Sequence, residues 1–313
     1  RDLVRSRGLG DVYKRQGIIS LFLGIVAVVV LTLGLPLGHQ WPSWPIFWQL
    51  RLPRVLFALM GGAMLAISAL IFQTTLRHRY IDGSMLGVAS GSELGLALLT
   101  VIWAPTMTYR VIIGAGLAIG WLVVLRQSVW RMGQQPLLLP LGGLVLAMFF
   151  NAGTSLLTNQ QGLLGKSLAN VTVTDTWWLG VIGLIGLIWL QLRQGQLALF
   201  ALPQGHVARL GYRESRLSWP WELVAAGYVG AVSAVLGTIF FVGLIVAQLV
   251  RFWFGGSAQQ RLLPTALLGT LVLSLSDMLA HSSRYPVELP TGAMLMLLTA
   301  PFFMVLWWQQ YEN

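Results

Sequence analysis

The sequence predicts an all-α polytopic membrane protein with about ten transmembrane helices, and three observations predict it. Apolar runs of bilayer-crossing length recur through all 313 residues; a helix needs ~20 such residues to cross a ~30 Å hydrocarbon core. Charged residues are 10% of the chain and hydrophobic ones 56%, with a mean hydropathy of +0.73, whereas a soluble domain carries about 25% charged residues. Fourteen Trp and 35 Gly suit interfacial aromatic belts and close helix contacts. A soluble helical protein with a large core does not produce this recurrence.

Residues 1–16 stand apart. They are polar, lack a membrane period, and are read as a non-native or tail-like extension outside the fold. Helix 1 follows at about 17–35, with no small-residue cleavage site after it, so it reads as an anchor. Residues 36–48 form a loop holding Trp41, Trp44 and Trp48, as at a membrane interface. Helix 2 is about 53–76, with Pro53 in the first turn, where a missing N–H is harmless. The remaining spans are about 84–103, 109–125, 137–157, 176–192, 219–238, 240–253, 262–280 and 291–308. Together they make a transmembrane domain over 17–313 with one long polar interruption, about 195–218.

Charge sets the expected orientation. With the N-terminus inside, the cytoplasmic loops hold Arg77, Arg79, Arg126, Arg131, Arg193, Arg209, Arg213, Arg216, Arg251 and Arg261. The opposite side holds Arg51, Arg54, Arg110, Lys166 and Arg284. Ten basic residues against five favour a cytoplasmic N-terminus.

Several chemistries are excluded. There is no Cys, hence no disulfide framework and no thiolate metal site. The net charge is +10, but the basic residues are scattered between apolar segments, which suits a lipid bilayer and not a nucleic-acid face. The four His, at 39, 78, 206 and 281, lack metal-ligand spacing. Gly162 to Ser167 resembles a phosphate loop, but position 160, where that motif needs Gly, is Gln. No catalytic residue, cofactor or nucleotide site is expected, so any ATP hydrolysis belongs to a separate subunit.

Three blocks carry a family resemblance. The first is Gln49-Leu50-Arg51-Leu52-Pro53-Arg54, a Gly- and Ala-containing apolar run, a loop with Asp82, then Leu86-Gly87-Val88-Ala89-Ser90-Gly91. The second is Phe240-Phe241-Val242-Gly243-Leu244-Ile245-Val246 with Leu249-Val250-Arg251. The third runs from Leu262-Leu263-Pro264 through Asp277 to Glu288-Leu289-Pro290-Thr291-Gly292 and Ala300-Pro301-Phe302-Phe303. In this order, over roughly 18–309, they resemble the ABC-importer permeases for iron–siderophore, haem and cobalamin, the FecCD type.

The resemblance implies a type II ABC importer permease architecture in a bacterial cytoplasmic (inner) membrane. Its implied partners are ABC ATPase subunits, a periplasmic or lipoprotein substrate-binding protein, and a second permease copy or paralogue. Arg51 and Arg54 match the family's binding-protein contacts; His281 and Arg284 stand where a third basic contact is usual. The ATPase-coupling segment corresponds to Leu202 through Gly211, with Gln204, His206, Ala208, Arg209, Leu210 and Gly211 as candidates. Leu210 and Gly211 match the family pattern, while Gln204 replaces its acid and Pro203 its first Gly. The cytoplasmic gate would be His78, Tyr80 and Asp82, faced by Gln134 and Gln135. Only Asp82 keeps the family's loop pattern, and Ala247-Gln248 replaces its Pro-His.

Two intramembrane carboxylates remain. Glu93 falls inside helix 3, facing either the translocation path or a hydrated vestibule; Asp277 is expected to be a structural partner within helix 9. The expected function is import of a ferric siderophore or similar iron chelate. Cobalamin or haem import is the alternative within the family. An ion-coupled secondary transporter would have to work with Glu93 and Asp277 alone, and a non-transporting scaffold is the third class.

Overall fold

The computed structural model describes residues 16–30, 44–103, 109–132, 138–158, 167–202, 206–209, 211, 214–283 and 289–311. Among them, ten main helices run back and forth in one bundle. They are α1 (Gln16–Val30), α2 (Leu52–Thr75), α3 (Val88–Trp103), α4 (Arg110–Met132) and α5 (Leu138–Thr158). The chain continues through α6 (Val173–Arg193), α7 (Glu214–Leu236), α8 (Val242–Phe254), α9 (Ala258–Ser282) and α10 (Thr291–Tyr311). Six of the described helical stretches are long and apolar enough to cross a membrane. The protein is a multi-pass membrane protein.

The centre is built from α2, α7 and α9, with α4 against α7. Small residues let these backbones approach. A Cβ on Gly62 would overlap the Gly269 carbonyl, and one on Gly269 would overlap that of Gly62. Gly230 meets Gly114 in the same way where α7 crosses α4. In lipid such contacts supply the packing that hydrophobic exclusion cannot. By contrast, α5 packs chiefly on α3 and leaves Val145, Met148 and Phe149 exposed.

Helix caps are local and readable. Thr172 and Asp175 close a capping box on α6, and Ser257 and Gln260 close one on α9. Pro53 differs from expectation. Helical structure continues upstream of it through a π-helical turn, Phe47–Arg51, to Trp44. The wider turn accommodates the interruption of the hydrogen-bond ladder that proline imposes.

Two expected spans start late. Residues 84–87 are a turn and α3 begins at Val88, where Gly91 lies against Trp121, midway along α4. Likewise α8 begins at Val242, and Gly243 packs on Leu65 and Ala69, well inside α2. Non-helical backbone is therefore enclosed in two places, 81–87 and 237–240, packed against other helices, while Arg79 and Tyr80 of the first connection are exposed. That is the condition under which such backbone is tolerated in a bilayer.

Candidate functional site

Three polar layers run along the bundle. The first gathers the N-terminal ends of α2, α4, α6 and α10 with the C-terminal end of α9. Arg54 donates from Nε and Nη2 to Asp277 at 2.8 and 2.9 Å. Its Nη1 lies 3.2 Å from His281 Nδ1, one turn further along α9. Thr291, at the start of α10, donates to Asp277 Oδ1 at 3.1 Å. The pair is largely enclosed, with side-chain exposures of 12% and 5%. A second pair lies nearby: Arg110 grips Asp175 through Nε and Nη2 and also donates to the Asn170 carbonyl. Thr176 donates to the Pro53 carbonyl at 3.1 Å, tying α6 to α2. Arg51 is half-buried in the π-helical turn.

This layer joins residues that were expected apart. Asp277, in α9, bonds Arg54, the residue that family likeness put at a docking surface. Its guanidinium is turned inward, so it holds α2 to α9. Arg284 lies outside the described residues.

The middle layer holds the other two expected carboxylates. Asp82 is buried in the 76–87 connection, accepts from its neighbour Gly83 N at 2.6 Å and from Ser84 Oγ at 3.2 Å, and faces the Gly243 and Leu244 amides. Those amides are in the first turn of α8, whose own flanking residue Phe241 supplies no side-chain cap. A carboxylate there satisfies orphan N–H groups and complements the helix dipole. Glu93 accepts from the Thr238 amide at 3.0 Å and its hydroxyl at 2.9 Å. Both carboxylates thus serve the backbone where α7 breaks from α8. Gly237 (φ +73°) takes the left-handed turn easily, whereas Phe241 (φ +66°) is strained there. A small cavity lined by Asp82, Ser84, Ser233 and Gly237 sits between the two anchors.

The third layer lies at the opposite end. Arg126 of α4 bonds Glu222 of α7 at 2.5 Å and Ser218 at 3.2 Å, and stacks 4.8 Å from the Trp219 ring. Gln248 of α8 donates to the Arg79 carbonyl, tying the α2–α3 connection to α8. His78 Nδ1 is buried without a hydrogen bond, and Tyr80 is exposed. The long polar interruption folds as a 3-10 helix, Gln194–Ala201, and a short helix, His206–Arg209. Leu197 and Phe200 seat the first on the bundle, while Arg209 and Gly211 are exposed. Gln134, Gln135, Gln204 and Leu210 lie outside the described residues, as do the side chains of His206 and Ala208.

Sequence reasoning missed two pairs. Asp175 was findable, because Thr172-x-x-Asp175 before an apolar run is a capping box. The Arg126–Glu222 pair joins residues 96 apart, and nothing local signals it. No cluster of metal-ligating side chains occurs among the described residues.

The chain matches known proteins along nearly its whole length. The profile of the FecCD transport family covers residues 16–309. The haem-iron transport system permease IsdF of Staphylococcus aureus, in strains Newman and bovine RF122 / ET3-1, is 29% identical over 268 residues, covering 85% of this chain and 83% of the relative. An inward-facing conformation of a metal-chelate type ABC transporter superposes with a TM-score of 0.80 at 27% identity, covering 93% of this chain and 98% of that one. PsaBC from Streptococcus pneumoniae, solved with a Fab, superposes with a TM-score of 0.59 at 15% identity over 81% and 89% of the two chains, a likeness of fold alone.

Proposed function

Because the chain belongs to the FecCD transport family, we propose that it is the membrane-spanning permease subunit of an ATP-driven importer for an iron chelate. The observation carrying this is the joint match of family profile and ten-helix fold across one chain. Haem is favoured over a siderophore by one finding, the likeness to IsdF. Uptake of radiolabelled ferric siderophore, haem and cobalamin into a deletion strain, with and without this gene restored, tests the cargo. Restored uptake of either iron chelate supports the reading. Restoration of cobalamin alone, or of nothing, overturns it.

The work divides along the bundle. The Gln194–Ala201 and His206–Arg209 helices, presented outward with Arg209 and Gly211 exposed, would seat in an ABC ATPase. The opposite end, with Arg51, would receive a substrate-binding protein. Arg54 would support that end from within, since its guanidinium pairs with Asp277. A second copy or paralogue would complete the pathway. The setting would be a bacterial cytoplasmic membrane with the N-terminus inside, which the bias of basic residues supports. Alternating access would then move the two ends in opposition. The Asp82 and Glu93 anchors at the α7–α8 break are where helices can shift without exposing unbonded backbone.

A further inference from the structure

A pair of enclosed arginines at the α8–α9 corner has no place in the account so far. Arg251 lies in the last turn of α8 and Arg261 in the first turn of α9. Arg261 is 9% exposed and Arg251 is half-buried. Among the described residues, Arg251 Nε and Arg261 Nη1 are both buried without a hydrogen-bond partner. The one bond Arg261 makes through its side chain among the described residues is a long one, Nε to the Ser257 carbonyl at 3.4 Å. Among the described residues, the titratable neighbours of Arg251 are two cations, Arg261 and Arg79, and the Tyr80 phenol.

Three unfavourable terms coincide here. A buried guanidinium without its hydrogen bonds is costly. Two like charges in a partly dry site repel. Arg261 also sits at the positive end of the α9 dipole, the wrong end for a cation. The carboxylates whose side chains are described are engaged elsewhere: Asp82 and Glu93 at the α7–α8 break, Asp175 with Arg110, Glu222 with Arg126, Asp277 with Arg54. One anion between Arg251 and Arg261 would relieve all three terms at once. The surroundings are apolar and open: Phe252, Trp253 and Leu263 are 64%, 56% and 57% exposed beside the pair. Basic pockets between membrane helices, next to exposed aromatic residues, suit phosphate headgroups whose chains lie along the protein.

We propose that Arg251 and Arg261 bind a phosphate oxyanion at the bilayer surface, as carried by the headgroup of an anionic phospholipid. The fork of each guanidinium matches phosphate oxygens, and the ligand locks the α8–α9 corner.

The test uses the full-length protein in detergent. Tm is followed with added phosphatidylglycerol, phosphatidylcholine or inorganic phosphate, and native mass spectrometry records retained lipid. Phosphatidylglycerol is expected to raise Tm well beyond phosphatidylcholine and to remain bound. In Arg261→Gln more than half of that extra gain should vanish, while Tm in phosphatidylcholine alone should rise, because an uncompensated charge is gone. Arg261→Lys should keep most of the gain. An equal gain from inorganic phosphate keeps the site and names free phosphate as its source. No preferential gain from either, or the same gain in Arg261→Gln, overturns the proposal. So does loss of ATPase co-purification in Arg261→Gln with an unchanged lipid response, which would assign the pair to a protein carboxylate. If Arg261→Gln does not fold, wild-type retention of phosphatidylglycerol over phosphatidylcholine and the Arg261→Lys response decide alone.

Discussion

Near its last turn α9 offers Asp277 to the Arg54 guanidinium through two hydrogen bonds, whereas in its first turn Arg261 lies beside Arg251 with no carboxylate among the described residues. The same helix is thus fastened inside the protein at one end and incomplete at the other. The Arg54 end is built from paired charges: Arg54 with Asp277, Arg110 with Asp175, and Thr291 and Thr176 as cross-ties. The other end combines one internal pair, Arg126 with Glu222, with buried groups that wait for something beyond the chain. The contrast teaches where this fold supplies its own rigidity and where it leaves that to lipid and partners.

The largest expected effect comes from breaking the fastened end. Asp277→Ala strands Arg54 in an enclosed site, and removal of one member of a buried pair costs about 3–5 kcal/mol. The purified yield of folded protein should collapse, by size-exclusion chromatography and Tm. Asp277→Ala combined with Arg54→Met should recover part of that loss, because the stranded charge is gone. Next comes the α2–α9 crossing. Gly62→Leu must push the Gly269 carbonyl away, and overpacking costs roughly 1–3 kcal/mol. Its Tm should fall clearly while Gly116→Leu, at an open position on α4, should change little.

The middle layer should respond less. Asp82→Asn keeps the shape but removes the negative charge at the start of α8, worth up to ~2 kcal/mol in a partly buried site. Hydrogen exchange across 240–250 should quicken, with slower change elsewhere. The smallest structural effects belong to half-buried Arg51 and exposed Arg209. Arg51→Glu and Arg209→Glu should each leave Tm nearly unchanged, because a solvated pair is worth about 0.2–1 kcal/mol. Yet Arg51→Glu should lower uptake at limiting binding protein, and Arg209→Glu should weaken co-purification of the ATPase. Normal behaviour of both would remove these residues from the interfaces.

Much of the fold was legible because lipid imposes a simple rule. A helix must be apolar for about the thickness of the bilayer, so ten apolar runs gave ten helices, with the shortfall at residues 84–87 and 240–241. There apolar composition persists while the backbone is irregular, and composition alone cannot register that. The family named from three blocks is the family whose profile covers residues 16–309. The α6 cap at Thr172 and Asp175 was equally legible, since a capping box spans three residues. The site was harder. Arg54 meets Asp277 across 223 positions, a pairing that no local motif discloses. Glu93 stood out as a carboxylate inside an apolar run, and Asp82 as the residue that keeps the family's loop pattern. Their common use, backbone support at the α7–α8 break, required knowing that two distant connections converge.

The most direct test of the whole account is transport in liposomes. The permease is reconstituted with its ATPase and binding protein, and radiolabelled iron chelate is offered on the binding-protein side. Accumulation is expected to require ATP on the ATPase side, to require the binding protein, and to persist when ionophores collapse ion gradients. Uptake at the full rate without ATP, abolished by those ionophores, would contradict it and identify an ion-coupled carrier instead.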